Sequence, residues 1–179
     1  MWYNKNMKTL SDVYQDHAEM PFISEQYKEE LILKPIPKRN MVRTAEGFLP
    51  GHIILLWRIQ FGTYRTDSPH HKYFATSYGI DAEKELQLLI KEGYVRVESA
   101  MESLRHLSAG QVKIFLGTKA IKGLSKLKRQ ELDQVLLANF SQAELENLFS
   151  VRGYLLTDKG KELLERHPDI IDKHPKKKF

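Results

Sequence analysis

Two stretches of helical periodicity, joined by a basic segment, occupy residues 107–140 and constrain the fold more than any other part of the chain. Ser108 and Gln111 have the spacing of a capping box, in which each side chain bonds the backbone N–H of the other residue at a helix start. After the basic segment, apolar residues recur at helical spacing at Leu132, Val135, Leu136 and Phe140. The pattern predicts two short amphipathic helices connected by a loop.

The connecting segment carries only positive charge. Between Ser103 and Gln130 the chain has seven basic residues and no acidic residue. A basic edge on a helical hairpin suits contact with phosphates, and the candidate DNA-binding residues are Lys113, Lys119, Lys122, Lys126, Lys128 and Arg129. Because Lys128 and Arg129 lie off the apolar stripe, we expect the fold to survive their replacement. The alternative interpretation is a two-helix fragment of a core whose lysines face solvent.

The same region has a characteristic order of apolar, glutamine and basic residues. The order is carried by Leu107, Gln111, Val112, Lys113, Leu116, Ile121, Arg129, Glu131 and Leu132, with Gly123 and Leu124 in the loop. It resembles the SAP motif, a helix-loop-helix module that binds DNA. Three positions depart from the family pattern: Leu127 replaces a second glycine, Arg129 replaces a lysine, and Val135 lies near an expected arginine. The resemblance implies that this hairpin contacts DNA.

A second group of elements is predicted between Pro50 and Val97. Pro50 suits the first turn of a helix, and the apolar run that follows it predicts a buried helix ending at Gly62. A short aromatic helix around residues 73–78, a helix over 82–92 with Asp81 as N-cap and a strand over 94–97 come next. In this order the elements resemble a winged helix-turn-helix, whose third helix often enters the major groove of DNA.

The third helix of that group is acidic, which favours a protein partner over DNA for this part of the chain. It carries Glu83, Glu85 and Glu92 against only two lysines. Arg96, on the predicted wing, remains a candidate for a phosphate contact. We also expect Trp57 to be largely buried against the apolar stripe of residues 86–90.

The flanking segments are predicted from prolines and charge. Residues 34–39 contain alternate prolines, which fix φ and remove backbone donors, and so predict an extended spacer; the alternative is that the segment lies along DNA. A strand over Tyr154–Leu156 leads into a helix over 159–167 that Pro168 is expected to end. Residues 173–179 then predict a basic, solvated tail.

Composition excludes several functional classes. The 179 residues include no cysteine, which removes disulfides, thiolate metal sites and a catalytic cysteine. There is no apolar run of membrane-spanning length and no signal-peptide pattern, so we expect a cytoplasmic protein. The net charge of +5 favours a polyanionic partner. Nucleotide-binding, hydrolase and zinc-protease motifs are missing, and neighbouring side chains such as His70 and His71 diverge on a helix, so no enzyme, cofactor or metal is predicted.

These observations predict a mainly α fold with short strands only. We expect an N-terminal arm with short helices over 1–48 and a winged-helix-like unit over 49–101. A SAP-like helical hairpin with a C-terminal helix and a basic tail is expected over 102–179. The expected function is that of a non-enzymatic, bacterial or phage DNA-binding protein that contacts the phosphate backbone through the hairpin. The alternative is a protein–protein interaction adaptor built on the winged-helix-like scaffold.

Overall fold

The structure, a computed structural model, describes residues 8–176, and helices predominate in that range. In chain order the elements are α1 (Leu10–Tyr14), α2 (Lys28–Leu33), α3 (Pro50–Gln60), α4 (Tyr73–Thr76), α5 (Ala82–Lys91), β1 (Val95–Val97), α6 (Ala109–Gly117), α7 (Arg129–Asn139), α8 (Gln142–Leu148), β2 (Tyr154–Leu156), α9 (Asp158–Glu165) and α10 (Pro168–Lys173). Single 3-10 turns occupy Glu25–Tyr27, Lys38–Met41 and Glu102–His106. The expected mainly α fold with short strands is confirmed.

Packing divides the described residues into two compact units. The first contains residues 8–58, 69–95 and 156–176, and the second contains residues 59–68 and 96–155. Strands β1 and β2 pair with each other, and they are joined by residues 98–153 rather than by a tight hairpin turn. The division into consecutive segments 1–48, 49–101 and 102–179 stays a prediction.

The first unit is built around α3. Its Ile53, Ile54, Leu55 and Leu56 side chains are all fully buried, as its apolar circumference predicted. Trp57, which we expected to be largely buried, is only partly buried, and its ring meets that of His174 edge-on at a centroid distance of 5.1 Å.

Helix α5 begins and ends where its sequence predicts. Asp81 is the N-cap and accepts a bond from the backbone N–H of Lys84. Gly93 follows the helix with a φ of +82°, a left-handed conformation that glycine adopts without steric cost. Leu86 and Leu89 are buried.

The proline-containing segment is not a spacer. Ile36 is buried, its N–H donates to the Tyr14 hydroxyl at 3.1 Å, and its carbonyl oxygen lies 2.6 Å from Nε2 of His17. The Tyr14 hydroxyl in turn donates to the carbonyl of Leu31 at 2.7 Å. The prediction was wrong because an apolar residue between two prolines can still join a core when both of its backbone groups are bonded.

The C-terminal prediction also needs correction. Helix α9 ends at Glu165, before Pro168 as expected, but Pro168 also begins a further helix, α10, since its fixed φ and missing N–H suit a first helical position. Lys173 closes that helix, and His174 is buried against Tyr78, whose hydroxyl bonds its Nδ1 atom. Only Pro175 and Lys176 follow among the described residues, and the rest of the predicted tail, residues 177–179, lies outside them.

The second unit has its own core, formed where α6, α7 and α8 meet. Its buried members are Ala100, Leu104, Leu107, Val112, Leu116, Leu132, Leu136, Phe140 and Leu145, and Val135 packs against them. The capping box at the start of α6 is confirmed: the N–H of Ser108 bonds Oε1 of Gln111 at 2.8 Å, and the N–H of Gln111 bonds Oγ of Ser108 at 3.1 Å. The predicted apolar stripe of α7 is therefore the face that holds the hairpin together.

Candidate nucleic-acid interface

The loop between α6 and α7, residues 118–128, leaves α6 through a tight C-terminal motif. The N–H of Ile121 bonds the carbonyl of Leu116 at 3.3 Å, and the N–H of Ala120 bonds that of Gly117 at 3.0 Å. Ala120 occupies the position that glycine usually takes, and its φ is +57°. A residue other than glycine in this left-handed conformation costs about 1–2 kcal/mol. The conformation turns the backbone out of α6 and into the loop.

All six basic residues predicted as DNA contacts lie on this hairpin. Lys113 is partly buried on α6, and Arg129, also partly buried, is the first residue of α7. The other four are exposed on the loop at Lys119, Lys122, Lys126 and Lys128. Their intramolecular contacts divide the six into two groups.

Arg129 is engaged within the fold. Its Nε donates to Oδ1 of Asp133 at 2.8 Å, and its Nη2 donates to the carbonyl of Leu104 at 2.6 Å. Its Nη1 donates to the carbonyl of Leu107. These carbonyls belong to the turn before α6, so the guanidinium ties α7 to that turn. Arg129 does lie off the apolar stripe, but we no longer expect the fold to tolerate its loss.

Lys119 is also engaged within the hairpin. Its ammonium group donates to the carbonyl of Asn139, pairs with Glu144 at 2.6 Å and lies 4.2 Å from the centre of the Phe140 ring. A cation at a helix C-terminus interacts favourably with the helix dipole, and the hydrogen bond from Lys119 is the largest cause that lowers the pKa of Glu144. Lys119 therefore fastens the end of α7 to α8.

The other four lysines form the second group: Lys113, Lys122, Lys126 and Lys128. Within residues 8–176 their ammonium groups make no hydrogen bond or ion pair. Since no acidic residue lies between Ser103 and Gln130, nothing in the loop sequence neutralises them. Unpaired ammonium groups on an exposed loop keep their full capacity for phosphate.

The N-terminus of α7 directly follows the lysine-containing loop and lacks a side-chain cap. Lys128 occupies the N-cap position with extended backbone angles, φ −74° and ψ 162°, but its side chain bonds no N–H of the first turn. Helices α6 and α8 both begin with a complete capping box. The first N–H groups of α7 therefore point outward with a partial positive charge, the arrangement that accepts a phosphate oxygen.

In residues 49–101, the segment predicted to be winged-helix-like, the cation predicted to contact DNA is already paired. Arg96, the candidate contact on the predicted wing, donates from its two Nη atoms to Glu102 at 2.8 and 3.1 Å. On α5, Glu83 is bonded by His70 at 2.6 Å and by Gln87 at 3.1 Å. The basic surface is thus better developed on the hairpin than around α5.

An ion pair between a buried carboxylate and an exposed arginine in the second unit had no signal in the sequence. Glu98 is almost fully buried, and both of its carboxylate oxygens accept bonds from Arg105, which also donates to the carbonyl of Gly62. His106 lies beside the pair, with Nε2 3.8 Å from Oε1 of Glu98, and burial followed by the charge of Arg105 lowers its pKa. A Cβ at Gly153 would lie 1.9 Å from that oxygen, so the pair is a packed structural element.

Among residues 8–176, no three or more histidine, aspartate or glutamate side chains are gathered as metal ligands, and no helix is long and apolar enough to cross a membrane. Comparisons of the chain with protein-family models, curated proteins and solved structures found no match. The proposed function therefore depends on the geometry of the hairpin.

Proposed function

We propose that this chain is a non-enzymatic DNA-binding protein that contacts the phosphate backbone through α6, the loop and α7, here called the SAP-like hairpin (residues 109–139). One observation carries the proposal: Lys122, Lys126 and Lys128 are exposed and make no hydrogen bond or ion pair within residues 8–176, and they lie in a loop without acidic residues that leads into the uncapped N-terminus of α7. The absence of cysteine is in keeping with the reducing cytoplasm where such a protein would work.

The groups on this surface suit backbone contact better than base readout. A lysine ammonium is a flexible point charge, and helix N–H groups donate to any phosphate oxygen that comes within reach. Bidentate readout of guanine favours arginine, and the single arginine of the hairpin, Arg129, is bonded to backbone carbonyls. We therefore expect binding with little sequence preference and a strong dependence on salt.

The two groups of cations have different roles in this proposal. Lys122, Lys126 and Lys128, with Lys113 at the edge of the surface, bind phosphate. Lys119 and Arg129 position the helices that present them, since both are bonded to carbonyls at the ends of the hairpin. Replacing a member of either group would weaken DNA binding, but only the replacement of Lys119 or Arg129 should also weaken the fold.

The test is the salt dependence of duplex binding by the full chain. Each phosphate that the protein neutralises adds about 0.9 to the slope of log affinity against log salt. The triple variant Lys122→Ala, Lys126→Ala and Lys128→Ala should therefore flatten the slope by up to about three units and weaken binding to all duplex sequences alike.

A second triple variant provides a control of equal charge. Lys28, Lys84 and Lys161 are exposed lysines of the first unit. Replacing these three with alanine lowers the net charge as much, but it should leave the slope close to that of the natural protein. Equal effects of the two triple variants would show that only the overall charge attracts DNA, and the hairpin assignment would be wrong.

The second candidate function is the protein–protein adaptor, and the surface of α5 favours it. Leu88 is an apolar residue that is 40% exposed on this helix, and its neighbours on the helix surface three and four residues away are the charged Lys84, Glu85, Lys91 and Glu92. An apolar side chain surrounded by charge is a common form of protein contact. If the natural protein shows no salt-dependent duplex binding, this adaptor function becomes the better proposal, and Leu88→Asp is the variant that tests it.

A further inference from the structure

The first unit contains a cavity of about 510 Å³ between the 37–44 segment and α10. Its apolar walls are Pro37, Val42, Pro50, Tyr78, Ile170 and Pro175. Small-molecule sites in proteins usually have volumes of roughly 300–1,000 Å³ and mostly apolar walls with a few polar groups. The cavity is therefore large enough for a small organic ligand.

The cavity is lined by two cations that the fold does not use. Arg39 comes from the 3-10 turn and Lys173 from α10, and within residues 8–176 neither side chain makes a hydrogen bond or ion pair. The third cation, Arg43, is different, since it donates to both carboxylate oxygens of Glu19 at 2.8 and 2.9 Å. The carboxylate in the lining, Asp169, precedes Lys173 by one turn of α10.

Arg39 and Tyr78 line the same cavity. Burial raises the pKa of Tyr78, the charge of Tyr73 adds to this, and Arg39 opposes the shift. Because Arg39 itself lines the cavity, its guanidinium is available to a ligand there. Arginine presents a planar fork of donors that matches a carboxylate or a phosphate.

A smaller cavity in the second unit also has a basic lining, but its arginines are paired with carboxylates of the protein. It has a volume of about 310 Å³ and is lined by Arg65, Arg105 and His106. Arg105 is bonded to the buried Glu98, and Arg65 pairs with Asp67 at 2.8 Å. These guanidiniums are neutralised within the protein, so this cavity lacks the unpaired charge of the larger one.

We infer that the larger cavity is a binding site for a small organic oxyanion, a carboxylate or phosphate ester on an apolar body. Arg39 and Lys173 bind the anionic group, and the proline, valine and isoleucine side chains enclose the apolar body. This site is independent of the proposed DNA contact, because it lies in the first unit and uses none of the hairpin lysines.

The direct test is an amide NMR titration of the full chain with three probes of similar size: phenylacetate, phenyl phosphate and benzyl alcohol. Either anion, or both, should shift the amide signals of Asn40, Ser77 and Ile170, whereas the neutral alcohol should not. Shifts by phenylacetate alone identify a carboxylate site, and shifts by phenyl phosphate alone identify a phosphate site. Equal shifts by the alcohol, or shifts confined to residues outside the cavity, would overturn the inference.

Variants that change one charge then distinguish anion binding in the cavity from attraction of the anion by the net positive charge of the protein. Arg39→Gln and Lys173→Gln should each weaken anion binding about tenfold, the factor that corresponds to roughly 1.4 kcal/mol. Asp169→Asn should strengthen binding, because it removes the lining carboxylate that repels the ligand. Lys28→Gln, an exposed lysine outside the cavity, is the matched control. The inference fails if this control weakens binding as much as Arg39→Gln, or if Asp169→Asn has no effect.

Discussion

At the scale of single residues, Lys128 and Arg129 show that neighbouring cations can have different purposes. The Lys128 side chain is exposed and makes no bond within the described residues, whereas Arg129 donates to Leu104, Leu107 and Asp133. The structure thus separates a cation that presents charge to solvent from one that holds two helices together. The distinction can be tested without DNA.

Arg129→Lys should lower the free energy of unfolding by about 1–3 kcal/mol, because one ammonium group cannot replace a fork of donors and leaves carbonyls unpaired. Lys128→Ala should change it by less than about 0.5 kcal/mol. Urea unfolding followed by circular dichroism measures both variants. Equal stability of the two variants would mean that the Arg129 bonds contribute nothing to the fold.

At the scale of elements, α7 begins without the side-chain hydrogen bond that would stabilise its N-terminus. Its N-cap residue has the extended backbone of a good cap but a side chain that does not cap. Helix α8, by contrast, starts at Ser141, whose Oγ accepts a bond from the N–H of Glu144 at 3.1 Å. A lysine at an N-cap position is consistent with our proposal that the free N–H groups bind phosphate.

Lys128→Ser should therefore raise the free energy of unfolding by about 0.5–2 kcal/mol, the usual value of an N-cap hydrogen bond, while it lowers DNA affinity. Ser141→Ala, the reverse change on α8, should lower stability by a similar amount and leave DNA affinity unchanged. Thermal or urea unfolding and duplex titration measure the two quantities. A Lys128→Ser variant that is more stable and binds DNA as well as the natural protein would argue against the role of this helix start.

At the scale of the whole molecule, two buried histidines make stability depend on pH. Burial lowers the pKa of His174 and of His106 below the ordinary value of about 6.5. The charges of Lys176, Arg58 and His71 lower the pKa of His174 further, and its hydrogen-bond partner is the Tyr78 hydroxyl, which carries no charge. Protonation therefore places an unfavourable charge in each site.

Because these pKa values are lower in the folded state, the unfolded chain binds more protons below about pH 6.5. Above about pH 6.5 both histidines are neutral in the folded and the unfolded chain, and their contribution to stability is fully present. This contribution is lost as the pH falls from about 6.5 toward the lower pKa values of the folded state. Urea unfolding at about pH 7.5 and about pH 5.5 should show lower stability at the acidic value. Glu102 and Glu144 have lowered pKa values and titrate below this window.

His174→Phe should reduce the loss of stability between these two pH values, even though it leaves the Tyr78 hydroxyl unpaired and lowers stability at both. The measured quantity is the difference in the free energy of unfolding between the two conditions, not its value at either one. An unchanged difference in the variant would show that His174 is not one of the groups responsible.

Local patterns in the sequence determined most of the secondary structure. The capping pair Ser108 and Gln111, the N-cap Asp81 and the strand at Tyr154–Leu156 all lie where predicted. Such signals are reliable because the interacting groups are a few residues apart in the chain, so the spacing alone brings them together. The apolar stripe of α7 was equally readable, since helical geometry fixes which residues share a face.

Only the tertiary structure decided which charges are free to bind something. Arg129 bonds carbonyls 22 and 25 residues away, and Lys119 bonds one 20 residues away; no spacing rule connects such partners. The same holds for Ile36 and His174, which the sequence placed in a spacer and a tail, and for Arg39 and Lys173, which meet at a cavity from distant segments. A charge is available only if the folded chain brings no partner to it, and that depends on contacts that the local sequence does not encode.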